Sequence, residues 1–316
     1  PDQLDQEADR LALSEDANEP ILGPPETLKR PRSGASREAR HYRLVSTTYT
    51  IATSSSVASD AIRAALAHLE CGGDDVDVFL DLHETPAGLW ELLYADRVVA
   101  EAADLAGVVP AVKQLFRQSS VERHPYFLSV HAGAVSFKNG CMLLPASAGS
   151  GKTTLTAALI HAGAAYFSDE VALLDAPDGR IIPVPLSLTV KAGAVSALAS
   201  RYPELASLAE HVREDQVRVR YLPPPLAAQA DHDARAIVRW IVFPNYQPRA
   251  ATTLTPVDRP TALRRLLDQA VVNRQRLDRD SAEAFVAWMR TVDCYDLTLS
   301  SLDSAVSALR QTIRCF

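Results

Sequence analysis

The chain has 316 residues, 47% of them hydrophobic and 22% charged, with a formal net charge of −7. That length and composition fit one large or two modest folded domains and exclude wholesale disorder. The acidic balance argues against nucleic acid as the main partner, and no apolar run is long enough to span a membrane.

Cys71, Cys141, Cys294 and Cys315 form no C-x-x-C pair, which argues against structural zinc or a disulfide framework. The opening PDQLDQEADR lacks the apolar core of a signal peptide, so a cytoplasmic protein is expected. Residues 1–40 read as a flexible arm, mixing Pro, Gly, Ser and both charges without periodicity. The short basic string KRPR inside it reads as solvated rather than as a nucleic-acid contact.

Residues 41–122 predict a small α+β domain. HYRLVSTTYTI has the β-branched and aromatic content of one strand, and SDAIRAALAHLE reads as a helix capped by Ser59. VDVFLDL and GLWELLYA predict two strands joined through HETPA. AADLAGVVPAVKQLF reads as a helix that Pro110 starts or kinks. His68 and His83 have no partners at ligand spacing and read as surface or loop histidines.

Residues 123–316 predict an α/β domain with a mixed sheet. YFLSVHAGAVSFKNGCMLLPA reads as a hairpin turning at Asn139-Gly140, a dipeptide suited to tight turns. In that register Lys138 faces Cys141, and His131 falls opposite Ala148. AAYFSDEVALLD, RIIPVPLSLTV, RAIVRWIVFP and CYDLTLS read as strands. AGAVSALASRYPELASLAEHV predicts helices broken at Pro203, and RPTALRRLLDQAVV, SAEAFVAWMR and SLDSAVSALRQTI predict three more.

Between the hairpin and the next strand stands PASAGSGKTTL, which contains A-x-x-x-x-G-K-T. Strand, Gly-rich turn and helix start form the context in which such a loop cradles phosphate. Backbone N–H groups of Ala148 to Lys152 would face an anion at the positive end of the helix dipole. The expected nucleotide-binding set is Ser147, Ala148, Gly149, Ser150, Gly151, Lys152, Thr153 and Thr154. Lys152 would reach the β- and γ-phosphates of ATP, and the Thr153 hydroxyl would sit on Mg²⁺. Asp169 and Glu170 come within one short helix and strand of the loop. Such a pair supplies one carboxylate for Mg²⁺ and another for the attacking hydroxyl.

These forty residues, 131–170, resemble the catalytic core of the HPr kinase/phosphorylase family, which is similar to PEP carboxykinases around the phosphate loop. The shared pattern is a histidine, a hairpin, the phosphate loop and an acidic pair ending the next strand. The resemblance implies a P-loop kinase core with a mixed β-sheet, preceded here by the small α+β domain. It also implies that His131 is the active-site histidine, Asp169 the base for a serine hydroxyl and Glu170 the second, metal-binding acid. A Glu-Arg-Gly motif of the bacterial HPr kinases is absent. PVPLSLTVKAG and VRVRYLPPP stand where it would fall, offering Lys191, Arg218 and Arg220 as phosphate-facing cations. The chain is more similar to HPr-kinase-related kinases encoded beside ribosomally made peptides, lasso peptides among them. Some of those phosphorylate a C-terminal serine of the precursor.

The leading expectation is therefore an ATP- and Mg²⁺-dependent serine kinase acting on a peptide or protein, with homo-oligomers implied by the family's hexamers. A small-molecule kinase, such as one for free serine, and a non-catalytic ATP-binding regulatory module are the alternatives. Asp169 favours chemistry over a switch, because a pure binder needs no second acid.

Overall fold

The computed structural model describes residues 22, 37–73, 76–213, 215–271 and 278–313. Most of the expected arm, KRPR included, lies outside the described residues, and Glu38 already opens the first strand.

Five strands form the first sheet in chain order: β1 (Glu38–Leu44), β2 (Thr47–Thr53), β3 (Val78–Glu84), β4 (Trp90–Tyr94) and β5 (Arg97–Ala102). The stretch expected as one strand is the hairpin β1–β2, with Tyr42 opposite Tyr49. Its turn is Val45-Ser46, with Val45 at φ 55° and no Gly, Pro, Asn or Asp to mark it. Between the parallel strands β2 and β3 runs α1 (Ser56–Leu66). Its cap is Ser55, which accepts from the Ala58 N–H, whereas Ser59 is buried within the helix.

Helix α2 (Leu105–Arg123) is capped by Asp104, and Pro110 sits in its second turn instead of starting it. Its apolar face carries Val109, Val112 and Phe116 into the core, where Phe116 stacks on Tyr49 at 4.0 Å. This core does not end with the sheet. Leu173, Ile182, Leu186, Val219 and Tyr221, all from later in the chain, pack into it. Burial of that shared apolar surface fixes α2 against the second half of the chain.

The large sheet is mixed. Its main path runs through β6 (Leu128–Val130), β10 (Ala172–Leu174), β11 (Arg180–Ile182), β15 (Ala236–Tyr246), β8 (Gly140–Pro145), β7 (Ala132–Phe137) and β9 (Ala165–Ser168). Strand β15 lies parallel to β8 and to β18 (Asp293–Leu299), while β7 is antiparallel to both its neighbours. Strand β16 (Thr253–Pro256) runs antiparallel along β18. A third sheet joins β12 (Leu188–Lys191), β14 (Arg218–Leu222) and β13 (His211–Val212). The mixed α/β class read from the sequence is what these sheets show.

The hairpin register differs from expectation by two residues. Ser136, not Lys138, faces Cys141, and the turn is Lys138-Asn139. Gly140 is the first paired residue of β8, with φ 149°, and the Arg239 side chain passes where its Cβ would be. Glycine serves close approach here as much as the turn. Ala132 therefore faces Pro145, placing His131 at the level of Ala146 and not of Ala148.

After β8 comes α3 (Lys152–His161), whose Leu155 and Leu159 are buried with Val135, Leu144 and Leu309. The helices expected after β12 shrink to α4 (Val195–Leu198) and single turns, since Gly193 and Pro203 interrupt them. The later helices are α5 (Arg259–Leu267), α6 (Arg279–Met289) and α7 (Leu302–Ile313). The tail of the α5 segment pairs with β6 as the short strand β17 (Ala270–Val271). Among the described residues no helix is long and apolar enough to cross a membrane.

Candidate active site

Strand β8 ends at Pro145, and the chain turns through residues 146–151 into α3. Gly149 and Gly151 take φ of 86° and 87°, a region open to glycine at no steric cost. This turn directs the N-terminus of α3 into a cavity of about 1130 Å³. All eight residues expected to bind nucleotide, Ser147 through Thr154, line that cavity. His131, Asp169 and Glu170 line it too, so the expected residues do converge.

Asp169 sits at the centre of the hydrogen bonding, at the exit of β9. Its backbone carbonyl accepts from Lys152 Nζ at 2.6 Å, and its Oδ2 accepts from Thr153 Oγ1 at 2.9 Å. Only 2% of the residue is exposed. The second oxygen, Oδ1, is buried without a hydrogen-bond partner among the described residues. Burial raises the Asp169 pKa above the ordinary carboxylate value, against the pull of the Lys152 charge. Lys152, 7% exposed, is shifted the other way: burial lowers its pKa, while Asp169 and Glu170 oppose that shift.

His131 lies between β6 and β7, with its backbone N–H bonded to the Gln269 carbonyl at 2.7 Å. Burial, aided by the Lys152 charge, lowers its pKa and favours the neutral imidazole.

Glu170 is turned to other partners. Its carboxylate accepts from Lys113 Nζ and from Thr189 Oγ1, with Arg117 Nε at 3.9 Å. Burial alone would raise its pKa; these donors outweigh it and bring the value down to about 2. Lys113 and Arg117 come from α2, and sequence reasoning passed over both. The available signal was helical periodicity, which places Lys113 on the face shared by Val109, Val112 and Phe116.

Of the three cations proposed to face phosphate, Lys191 lines the cavity and the other two do not. Arg218 pairs with Glu210 at 2.8 Å, and Arg220 donates to the Leu205 and Ala206 carbonyls. Both are used in holding the β13–β14 region. The two solitary histidines are also placed. His83 lies 3.4 Å from Glu91 across β3 and β4. His68 is half-buried, and its Nε2 bonds the Pro185 carbonyl at 2.7 Å.

Among the described residues there is no group of three or more His, Cys, Asp or Glu able to hold a metal. Mg²⁺ at a phosphate site needs less, because one or two carboxylates suffice when phosphates and water complete the shell. The Thr153 hydroxyl and the adjacent Oδ2 of Asp169 fit that demand, and Oδ1 stays without a partner among the described residues.

No family model and no curated protein matches the chain. One solved structure that the chain matches is the Hpr(Ser) kinase/phosphatase from Coxiella burnetii. It is 12% identical, with 60% of this chain and 97% of that chain covered and a TM-score of 0.29. An overlap this low carries no functional inference.

Proposed function

We propose that the protein is an ATP- and Mg²⁺-dependent kinase that transfers the γ-phosphoryl group to a serine hydroxyl on a peptide or protein. In this reading residues 123–316 are the catalytic domain. A peptide ending in serine is the acceptor class to try first. The observation that carries the proposal is Asp169: a buried carboxylate with one oxygen on the Thr153 hydroxyl, the other unpartnered, beside a buried lysine at a helix N-terminus.

Each residue then has a physical task. Loop N–H groups and the helix dipole attract the phosphates. Lys152 places a positive charge where negative charge gathers during transfer. Mg²⁺, held by Thr153 and the Asp169 Oδ2 beside it, would neutralise phosphate charge. Asp169 accepts the serine proton on Oδ1 as the hydroxyl oxygen bonds to phosphorus and ADP leaves. His131, kept neutral, contributes hydrogen bonding without adding positive charge.

The test is incubation with γ-labelled ATP, Mg²⁺ and serine-containing peptides, followed by mass spectrometry of the acceptor. Lys152→Met should weaken nucleotide binding about tenfold or more, the loss of one charge-assisted contact. Normal ATP binding with label on no acceptor would refute the kinase reading and leave a binding module.

A further inference from the structure

We propose that Lys113, supplied by α2 from the unit preceding the phosphate loop, is a positioning residue that holds the Asp169–Glu170 turn in its working geometry. This rests on the kinase reading for its catalytic consequence, though not for the coupling itself.

Lys113 is 3% exposed, and an ammonium group is rarely taken that far from water unless its partners are fixed. Its Nζ donates to the Glu170 carboxylate and to Thr189 Oγ1 at 2.8 Å, and it lies 5.1 Å from the centre of the Tyr221 ring. Thr189 closes the triangle by donating to the same carboxylate. Glu170 is thus gripped from α2 and β12 at once.

What is gripped matters because of the backbone on either side. The turn between β9 and β10 offers the Asp169 carbonyl to Lys152 and the Asp169 carboxylate to Thr153. The loop lysine, the loop threonine and the candidate base are therefore all referenced to one turn, and Lys113 anchors it from 57 positions away in sequence. The anchor is rigid, since α2 is locked by Val109, Val112 and the Phe116–Tyr49 stack. A buried ion pair is weak evidence for stability, because apolar residues often serve as well, and its better attested use is to specify one arrangement. Here that arrangement is the acidic turn. The N-terminal unit is by this account part of the active site.

The experiment uses the full chain with Lys113→Met, which keeps an unbranched side chain one atom shorter and removes its charge, and Lys113→Arg, which keeps the charge. Three readouts are taken: affinity for a fluorescent ATP analogue, steady-state kcat and KM, and hydrogen exchange over residues 166–174. In Lys113→Met, kcat should fall about 10- to 100-fold, the scale of a misplaced catalytic group. Nucleotide affinity should stay within about threefold, because the phosphate loop itself is untouched. Exchange at the turn should rise while β8 and α3 keep their protection, and Lys113→Arg should recover part of the rate.

Should Lys113→Met fail to fold, Lys113→Met/Glu170→Gln removes the stranded carboxylate, and the same losses in kcat and protection are expected of it. A folded variant with kcat within twofold of the parent, or unchanged exchange at the turn, overturns the proposal. So does a loss confined to nucleotide affinity. If the parent transfers phosphate to nothing while the turn still responds to Lys113, the kinase reading fails and the coupling stands.

Discussion

Asp169→Asn separates chemistry from binding more sharply than any other change at this site. The substitution keeps the shape of a side chain that is 2% exposed, and its remaining carbonyl oxygen can still accept from Thr153. What it removes is the charge and the proton-accepting oxygen. If Asp169 takes the hydroxyl proton, kcat should fall by about 10²–10⁴, the usual contribution of a general base. That corresponds to about 3–5 kcal/mol of barrier. Nucleotide affinity without Mg²⁺ should move the other way. One fewer negative charge beside the phosphates relieves about 1 kcal/mol of repulsion, or roughly fivefold in affinity. With Mg²⁺ that gain should disappear, because the neutral amide also attracts the cation less than the carboxylate does. The new amide replaces an oxygen that already lacks a partner, so the melting temperature should change by only a few degrees. The assay is labelled transfer at saturating ATP, with calorimetric titration of the nucleotide in EDTA and in Mg²⁺. An unchanged kcat, or a parallel loss of kcat and ATP affinity in both buffers, refutes the assignment of Asp169 as base.

Two further predictions concern what supports the site. Gly133→Ala should cost about 1–3 kcal/mol by overpacking, because a Cβ there would lie 2.5 Å from Thr156 Oγ1 on α3. Thr156→Ala in the same chain should return most of that loss in a urea melt, and no recovery would show that the strain lies elsewhere. His68 should make stability depend on pH. Burial, with help from Lys113 and His232, brings its pKa from 6.5 to about 4, against the Pro185 hydrogen bond. A depressed histidine stabilises the fold above the unfolded value and loses that contribution as pH falls from 6.5 through about 4. The melting temperature should drop over that window, and His68→Gln should flatten the slope; identical slopes for the two chains would contradict this. Glu170, brought from 4.5 to about 2, loses its own contribution as pH falls from 4.5, so it overlaps only the lowest part of the window.

The strand, glycine turn and helix around Lys152 are legible because their signals are local: an apolar strand, two glycines at positive φ, then Lys152 and Thr153 at a helix start. The hairpin was legible as a hairpin but not in register. Gly140 was read as a turn residue, while in the fold it makes room for Arg239 on β15, far along the chain. Hairpin β1–β2 reads as one strand in sequence because Val45-Ser46 has no Gly, Pro, Asn or Asp, and a lone serine is a weak turn signal. Ser59 was taken as a cap for the same kind of reason, since Ser55 offers the same side chain one helical turn earlier.

The acidic pair shows the boundary most clearly. Its nearness to the loop came from spacing along one helix and one strand, but the difference between its two carboxylates did not. Asp169 and Glu170 are adjacent and chemically alike, yet one faces Thr153 with an oxygen to spare and the other is held by Lys113 and Thr189. That distinction is made by α2, whose own position depends on a core shared between the first sheet and strands far downstream. Periodicity could have marked Lys113 as a lysine on a buried face, a costly placement that demands a partner. It could not have named the partner, because the sequence carries the charge and only the assembled core brings Glu170 to it.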